Sequence, residues 1–304
     1  MLSSLSTAER FLAGFHDADP GVTARAFAGL PARMAGEAFA SSYECLASVV
    51  PGGAATVLDL ACGDGYLLSL LAARRQPGLQ LVGVDLSAGE LAAARRRLGA
   101  AAVLHQARAQ QLPLADASAD VVLCHMALML MDEAPRVLSE VRRVLKPGGV
   151  FSAVVGGGGT AAPAHELFVA LLRQLRKRPE VESLRLGDRR LHTAEGIADL
   201  FGAGFGPVAI DEIVLEWRCD PDGLWSWFGK MYDLDWLEAG DRVQLERRFA
   251  AAVVPLCDAG GQLEHRTVLR RISARLSVPV CRCATAPCPD CNNRPWKPSG
   301  WKIS

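Results

Sequence analysis

The run VLDLACGDG, from Val57 to Gly65, ends an apolar strand pattern in an acid and follows it with two closely spaced glycines. A strand, a tight loop and a Leu-rich helical pattern in that order read as a loop shaped for a small molecule. A phosphate-cradling loop of the G-x-x-x-x-G-K-[ST] kind is excluded, because no Lys-Ser or Lys-Thr follows Gly65. A dinucleotide fingerprint is disfavoured. Gly63 and Gly65 fit its first two glycines, but Leu68 stands where close helix–strand packing wants Gly or Ala. Asp59 is also ill-placed against a pyrophosphate. What remains is a cationic nucleoside without phosphate. Asp59 orients an ammonium group, bare backbone at Gly63 and Gly65 admits close approach, and Asp85 accepts both ribose hydroxyls. Leu86 can press on the face of a base.

These residues need a sheet to hold them. VLDLA, LQLVGVDLS, AAVLHQA, ADVVLCHMAL and VFSAVV read as apolar strands, separated by helical patterns such as YLLSLLAARR and EAPRVLSEVRRVL. Ser87 stands three residues before Glu90, a capping-box spacing that starts AGELAAARRRL. Strands apolar throughout with amphipathic helices between them predict an α/β, doubly wound parallel sheet with helices on both faces. VAIDEIVLEW and TVLRRISARL supply two later strands, with DPDGLWSWFGKMYDLDWL and DRVQLERRFAAAVVPLCDA as a helical insertion between them. Residues 1–50 read as helices. The expected organisation is an N-terminal helical lid over 1–50, a main domain over 51–280 with a cap insertion near 218–260, and a Cys/Pro-rich tail over 281–304.

VLDLACGDG, LVGVDLS, QLPLADASADVVLCHMAL and EVRRVLKPGGVF together resemble the successive motifs of class I S-adenosylmethionine-dependent methyltransferases, in the small-molecule branch that includes ubiquinone and menaquinone C-methyltransferases. The likeness covers roughly Val50 to Val155. It implies a seven-stranded Rossmann-like sheet, S-adenosylmethionine as cofactor, and methyl transfer to an O, N or C nucleophile of a small metabolite. By position it implies cofactor contacts at Asp59, Ala61, Gly63, Gly65, Asp85, Leu86, Ala109, Gln110 and Cys124, with Met126 alongside. Ala61 stands where the family often has a third glycine. Arg108 stands where the family often has an Asp that accepts from adenine's amino group, and Arg cannot accept. Gln110, Gln111 or the backbone must then take that role. Other readings are a protein of this fold that binds the cofactor for cyclisation, elimination or sensing, and a nicotinamide-dependent oxidoreductase.

His125 is the candidate base, at the end of the fourth main strand; it could equally only bond a neighbouring loop. His16 and Tyr43 read as packing residues that could reach the site. Trp225, Trp227, Phe228, Met231, Tyr232 and Trp236 form either the apolar wall of an acceptor pocket or the core of the insertion. The arginines at 95–97 and the run RQLRKR read as solvated faces. An Asp/Asn-Pro-Pro-aromatic run, used on base amino groups, is absent after the fourth strand.

Lys plus Arg and Asp plus Glu both number 33, so no cationic surplus invites nucleic acid or an anionic membrane. No signal peptide or membrane span is expected, and the protein reads as cytoplasmic. Cys281, Cys283, Cys288 and Cys291 crowd the tail as C-x-C-x4-C-x2-C; they read as a tetrahedral thiolate zinc site or as an unstructured tail, and no metal ligands are assigned.

Overall fold

Apolar β-branched strands and Leu-rich amphipathic helices alternate from residue 55 onward, and they assemble as the pattern demands. The computed structural model of the chain describes residues 5–158, 162–175, 186–202 and 204–277. Five strands run parallel: β3 (Ala55–Leu60), β4 (Leu79–Asp85), β5 (Val103–Gln106), β6 (Ala119–His125) and β7 (Leu145–Gly158). Strand β9 (Leu263–Arg275) lies antiparallel to β7, and β8 (Ala209–Cys219) antiparallel to β9. Helices α4 (Tyr66–Ala73) and α5 (Ala88–Leu98) cover one face, with α3 (Ser42–Ala47); α6 (Ala134–Val144) and α8 (Ala194–Phe201) cover the other.

The sheet holds nine strands, in the order β2-β1-β8-β9-β7-β6-β3-β4-β5, two more than the seven expected. The additional pair is a hairpin, β1 (Ala32–Met34) and β2 (Glu37–Phe39), laid against β8. Those residues read as helical in sequence. Left-handed backbone at Ala35 (φ 51°) and Gly36 (φ 86°) makes the two-residue turn whose twist matches a hairpin. Helix therefore resumes only at α3, capped by the Ser41 side chain. Before the hairpin stand α1 (Thr7–Ala18) and α2 (Val22–Phe27).

Period-two alternation sorts the strand residues between the faces. Leu58, Leu60, Val122, Cys124 and Ala153 join the α6/α8 core, and Val57, Val121, Leu123 and Val154 join the α3–α5 core. A third core links α7 (Pro163–Leu175), α9 (Pro221–Phe228) and α10 (Ala239–Val253) around Phe168, Trp227, Phe228 and Phe249. It also takes Ala26 of α2, and Trp227 Nε1–H donates to the Ala26 carbonyl at 2.9 Å. The helical insertion thus rests on the N-terminal segment, at the carboxyl edge of the parallel strands. His265 of β9 is buried against Trp217, Trp227 and Phe228, and neither ring nitrogen has a partner among the described residues. Burial lowers its pKa to about 4. No helix among the described residues is long and apolar enough to cross a membrane. The tail cysteines lie outside the described residues.

Candidate functional site

Strand β3 delivers Asp59 to the carboxyl edge, and the chain then turns through left-handed backbone at Ala61 (φ 59°) and Gly63 (φ 51°). The Cys62 N–H donates to the Val84 carbonyl at 3.0 Å, tying this loop to β4. At the end of β4, Asp85 Oδ2 accepts from the Gly63 N–H and Oδ1 from the Ser87 N–H, both at 2.8 Å. Each oxygen keeps a second lone-pair direction for a ligand. Ser87 Oγ accepts from the Glu90 N–H at 3.0 Å and so caps α5, but the expected reciprocal half of the box is missing. The Glu90 carboxylate instead accepts from the Gly21 N–H at 2.8 Å and meets His16 Nδ1 at 2.9 Å.

Asp59, Ala61, Gly63, Asp85, Leu86, Ala109, Gln110 and His125 line one cleft enclosing about 1080 Å³, its open mouth included. His16, Tyr43, Arg108 and Met126 line it too. Two of the expected contacts stand elsewhere. Gly65 faces α5, where a Cβ would lie 2.7 Å from Leu98 Cδ1 and 3.2 Å from Ala94 Cβ, so its bareness serves helix packing. Cys124 is fully buried in the α6/α8 core, because alternation along β6 turns it away from the face that His125 serves. Gln111 is exposed and outside the cleft. Trp225, Trp227, Phe228, Met231 and Tyr232 pack within or beside the helical insertion and do not line the cleft; the side chain of Trp236 is outside the description.

The electrostatics point to a cationic ligand. Six carboxylates line the cleft (Glu9, Asp59, Asp64, Asp85, Glu90, Asp132) against the guanidinium of Arg108 and the imidazoles of His16 and His125. Arg108 is already committed to Glu9 at 2.8 Å. Asp59 is 2 % exposed and accepts no hydrogen bond from any described residue. Burial, first, and then the neighbouring Asp85 and Asp64 carboxylates push its pKa well above the usual carboxylate range. A buried, unpartnered acid facing a cleft is satisfied by a positive donor and repels a phosphate. Burial, helped by Asp64, Asp59, Glu90 and Tyr66, likewise raises the Tyr43 phenol, and its hydroxyl bonds no described protein group. That leaves a neutral O–H donor at the same end.

His125 stacks on Tyr43, with ring centroids 3.6 Å apart, and meets the edge of Phe27 at 6.0 Å. Its Nε2 and Ser42 Oγ are 2.9 Å apart, and Nδ1 has no partner among the described residues. Burial lowers its pKa to about 3, so the ring is neutral at physiological pH.

Several cleft residues escaped the sequence reading. Helix α1 lies across the mouth: Glu9 pairs with Arg108, the Ser6 hydroxyl donates to Asp132, and Asp17 Oδ1 accepts from the Ser87 hydroxyl at 2.6 Å and the Gly89 N–H at 2.8 Å. Glu90 carried a signal but was read only as a cap. Glu9 and Asp132 carried none, since their partners are distant in sequence.

Known proteins resemble this chain in sequence and in fold. Residues 58–153 match the family described as a methyltransferase domain. Demethylmenaquinone methyltransferase of Symbiobacterium thermophilum is 42 % identical over 100 residues, 31 % of this chain and 40 % of that enzyme. The ubiquinone/menaquinone biosynthesis C-methyltransferase UbiE of Desulfotalea psychrophila is 34 % identical over 178 residues, 54 % of this chain and 70 % of that enzyme. In fold, the chain is similar to the YcgJ protein of Bacillus subtilis: TM-score 0.52, 19 % identity, 78 % of this chain and 98 % of that one.

Proposed function

The chain belongs to the class I S-adenosylmethionine-dependent methyltransferases, and on that premise we propose that it transfers a methyl group from S-adenosylmethionine to an O, N or C nucleophile of a small-molecule metabolite. The observation that carries this reading is Asp59, a buried carboxylate without a protein donor in a cleft dominated by acids. Cationic sulfonium and ammonium groups fit that cleft, and a nicotinamide dinucleotide's pyrophosphate does not. The cofactor brings a sulfonium-activated methyl, so positioning and exclusion of water are the protein's main tasks.

Each residue then has a task. Asp59 accepts from the ammonium group, and Tyr43 donates to the carboxylate beside it. The bare backbone of Gly63 lets the chain approach closely, while Asp85 takes the ribose hydroxyls on its remaining lone pairs. Helix α1 shuts the mouth. His125, with Tyr43, Phe27 and Met126 around it, forms an uncharged wall for a partly apolar acceptor. Where the nucleophile carries a proton, the methyl carbon leaves sulfur for that nucleophile and the proton passes to Nδ1 of His125, a weak acceptor while burial holds the ring's pKa at about 3 and one that a bound ligand must reach. For this, Nε2–H donates to Ser42 Oγ.

The cytoplasm is the proposed compartment, in keeping with five cysteines that all stand as free thiols among the described residues. Calorimetric titration tests the cofactor. Saturable binding of S-adenosylmethionine and S-adenosylhomocysteine with none of NADH is expected; NADH binding, or silence from the first two, overturns the reading. Transfer of labelled methyl to an acceptor then separates methylation from other chemistry on this fold.

A further inference from the structure

We infer that Ser42 is a positioning residue for His125: its hydroxyl donates to Nε2, so the ring's proton sits on Nδ1 and the ring meets a methyl acceptor as a hydrogen-bond donor. The acceptor's part in this rests on the methyltransferase reading above; the tautomer does not.

The run Ser41-Ser42-Tyr43 opens α3 and divides three duties. Ser41 Oγ accepts from the Glu44 N–H at 3.4 Å and caps the helix, which leaves Ser42, the first helical residue, to serve another element. Its Oγ lies 2.9 Å from His125 Nε2. Tyr43 stacks on the imidazole at an interplanar angle of 17°, and the stack holds the ring's plane so that Nδ1 does not swing round to the serine. A neutral imidazole carries one N–H and one bare nitrogen, so the Ser42–His125 bond has two directions. If Nε2–H donates, the hydroxyl hydrogen of Ser42 needs an acceptor of its own, and Ser42 Oγ makes no second bond among the described residues. Ser42 is fully buried and does not line the cleft, so a ligand there cannot supply one. If the hydroxyl donates instead, the donor left over is Nδ1–H, on a residue that does line the cleft. An unpaired buried donor costs its desolvation, and only the second direction lets a ligand remove that cost. The bond at one ring nitrogen thus sets what the other offers.

The acceptor therefore meets His125 with a lone pair, from a carbonyl, ether or ionised oxygen or a bare nitrogen. Proton uptake at Nδ1 needs the opposite bond, so a proton-bearing nucleophile must wait for the ring to exchange tautomers. An acceptor whose nucleophile is already bare has no such wait.

NMR on the full chain, labelled with heavy nitrogen at histidine, tests this. Long-range couplings from the ring carbon protons identify which nitrogen carries the proton, and the signals that vanish in His125→Gln assign the residue. At neutral pH wild type shows a ring protonated at Nδ1. In Ser42→Ala the pattern moves, wholly or in part, to the Nε2–H form that a free histidine side chain prefers, and Ser42→Thr, which keeps the hydroxyl, keeps the wild-type pattern. Ser42→Cys fills the same space with a weaker donor should the alanine variant fold poorly, and circular dichroism checks each variant. A wild-type ring protonated at Nε2 overturns the inference, as does an unchanged pattern in Ser42→Ala. The spectra are taken without cofactor, so failure of the methyltransferase reading is a separate result, seen as silence in the titration with S-adenosylmethionine.

Discussion

Gly63 and Gly65 stand two residues apart in one loop, and replacing each with alanine should damage different properties. At Gly65 the backbone is left-handed (φ 76°), and an added Cβ would meet Leu98 Cδ1 at 2.7 Å and Ala94 Cβ at 3.2 Å. The backbone penalty is about 1–2 kcal/mol and the overpacking about 1–3 kcal/mol, so Gly65→Ala should destabilise by roughly 2–5 kcal/mol. At Gly63 (φ 51°) the nearest atom to an added Cβ is Glu90 Cδ at 3.8 Å. Only the backbone penalty applies there, about 1–2 kcal/mol. The methyl group, however, lands on a cleft-lining residue, so Gly63→Ala should weaken S-adenosylhomocysteine about tenfold or more. Urea denaturation of the apoprotein and calorimetry on the folded variants separate the two effects. The losses from Leu98→Ala and Gly65→Ala should be less than additive, because the crowding partner is gone in the double variant. A Gly65→Ala protein with wild-type stability and tenfold weaker binding would refute this division of labour, as would a Gly63→Ala protein that binds normally.

Three further outcomes follow from the same geometry. Because burial raises Asp59's pKa, its charged form opposes folding; its contribution is fully present below the unfolded carboxylate pKa and is lost as pH rises through the raised one. Asp59→Asn should therefore melt higher than wild-type apoprotein at pH 7–8 yet bind S-adenosylmethionine about tenfold more weakly, and a variant that melts lower contradicts the desolvation argument. His125 and His265, with pKa values lowered to about 3 and about 4, contribute stability above the ordinary imidazole pKa that is lost as pH falls towards those values. Each should add about 1.4 kcal/mol per pH unit to the loss from pH 6 to 5, and denaturation of His125→Gln and His265→Phe should each show one proton less of slope. Glu9→Gln removes the charge that holds Arg108 to α1, so trypsin should cut at the exposed Arg10 several-fold faster, and S-adenosylhomocysteine should slow that cleavage; an unchanged rate means the pair does not hold the helix.

What could be read in the sequence was what lies close along the chain. Asp59, Gly63 and Asp85 announce themselves through strand-to-loop punctuation, and the alternating pattern yields the doubly wound sheet. The same alternation along β6 also contained the fact that Cys124 and His125 face opposite ways, which a contiguous contact list at the strand end overlooks. Gly65 looked like a binding glycine because its reason, Leu98, is on another helix. The Ala35–Gly36 turn was hidden because alanine is a weak signal for left-handed backbone, unlike asparagine. Glu9 and Arg108 are 99 residues apart, and nothing local in either segment names the other.

The hairpin at 32–39 ties the beginning of the described chain to its middle. Ala32 pairs with Leu215 and Met34 with Ile213, while α1, which ends at Ala18, bonds the start of α5. On the ribosome, the hairpin at 32–39 emerges long before its β8 partner exists, so it must wait unpaired while β3 to β7 assemble behind it. Closing so long a loop is a late and slow event. A nascent chain that already holds Asp59 and Asp85 also holds the partners that seat α1 at Ser87, Gly89, Arg108 and Asp132, so the cleft can close while the hairpin behind that helix still waits for β8.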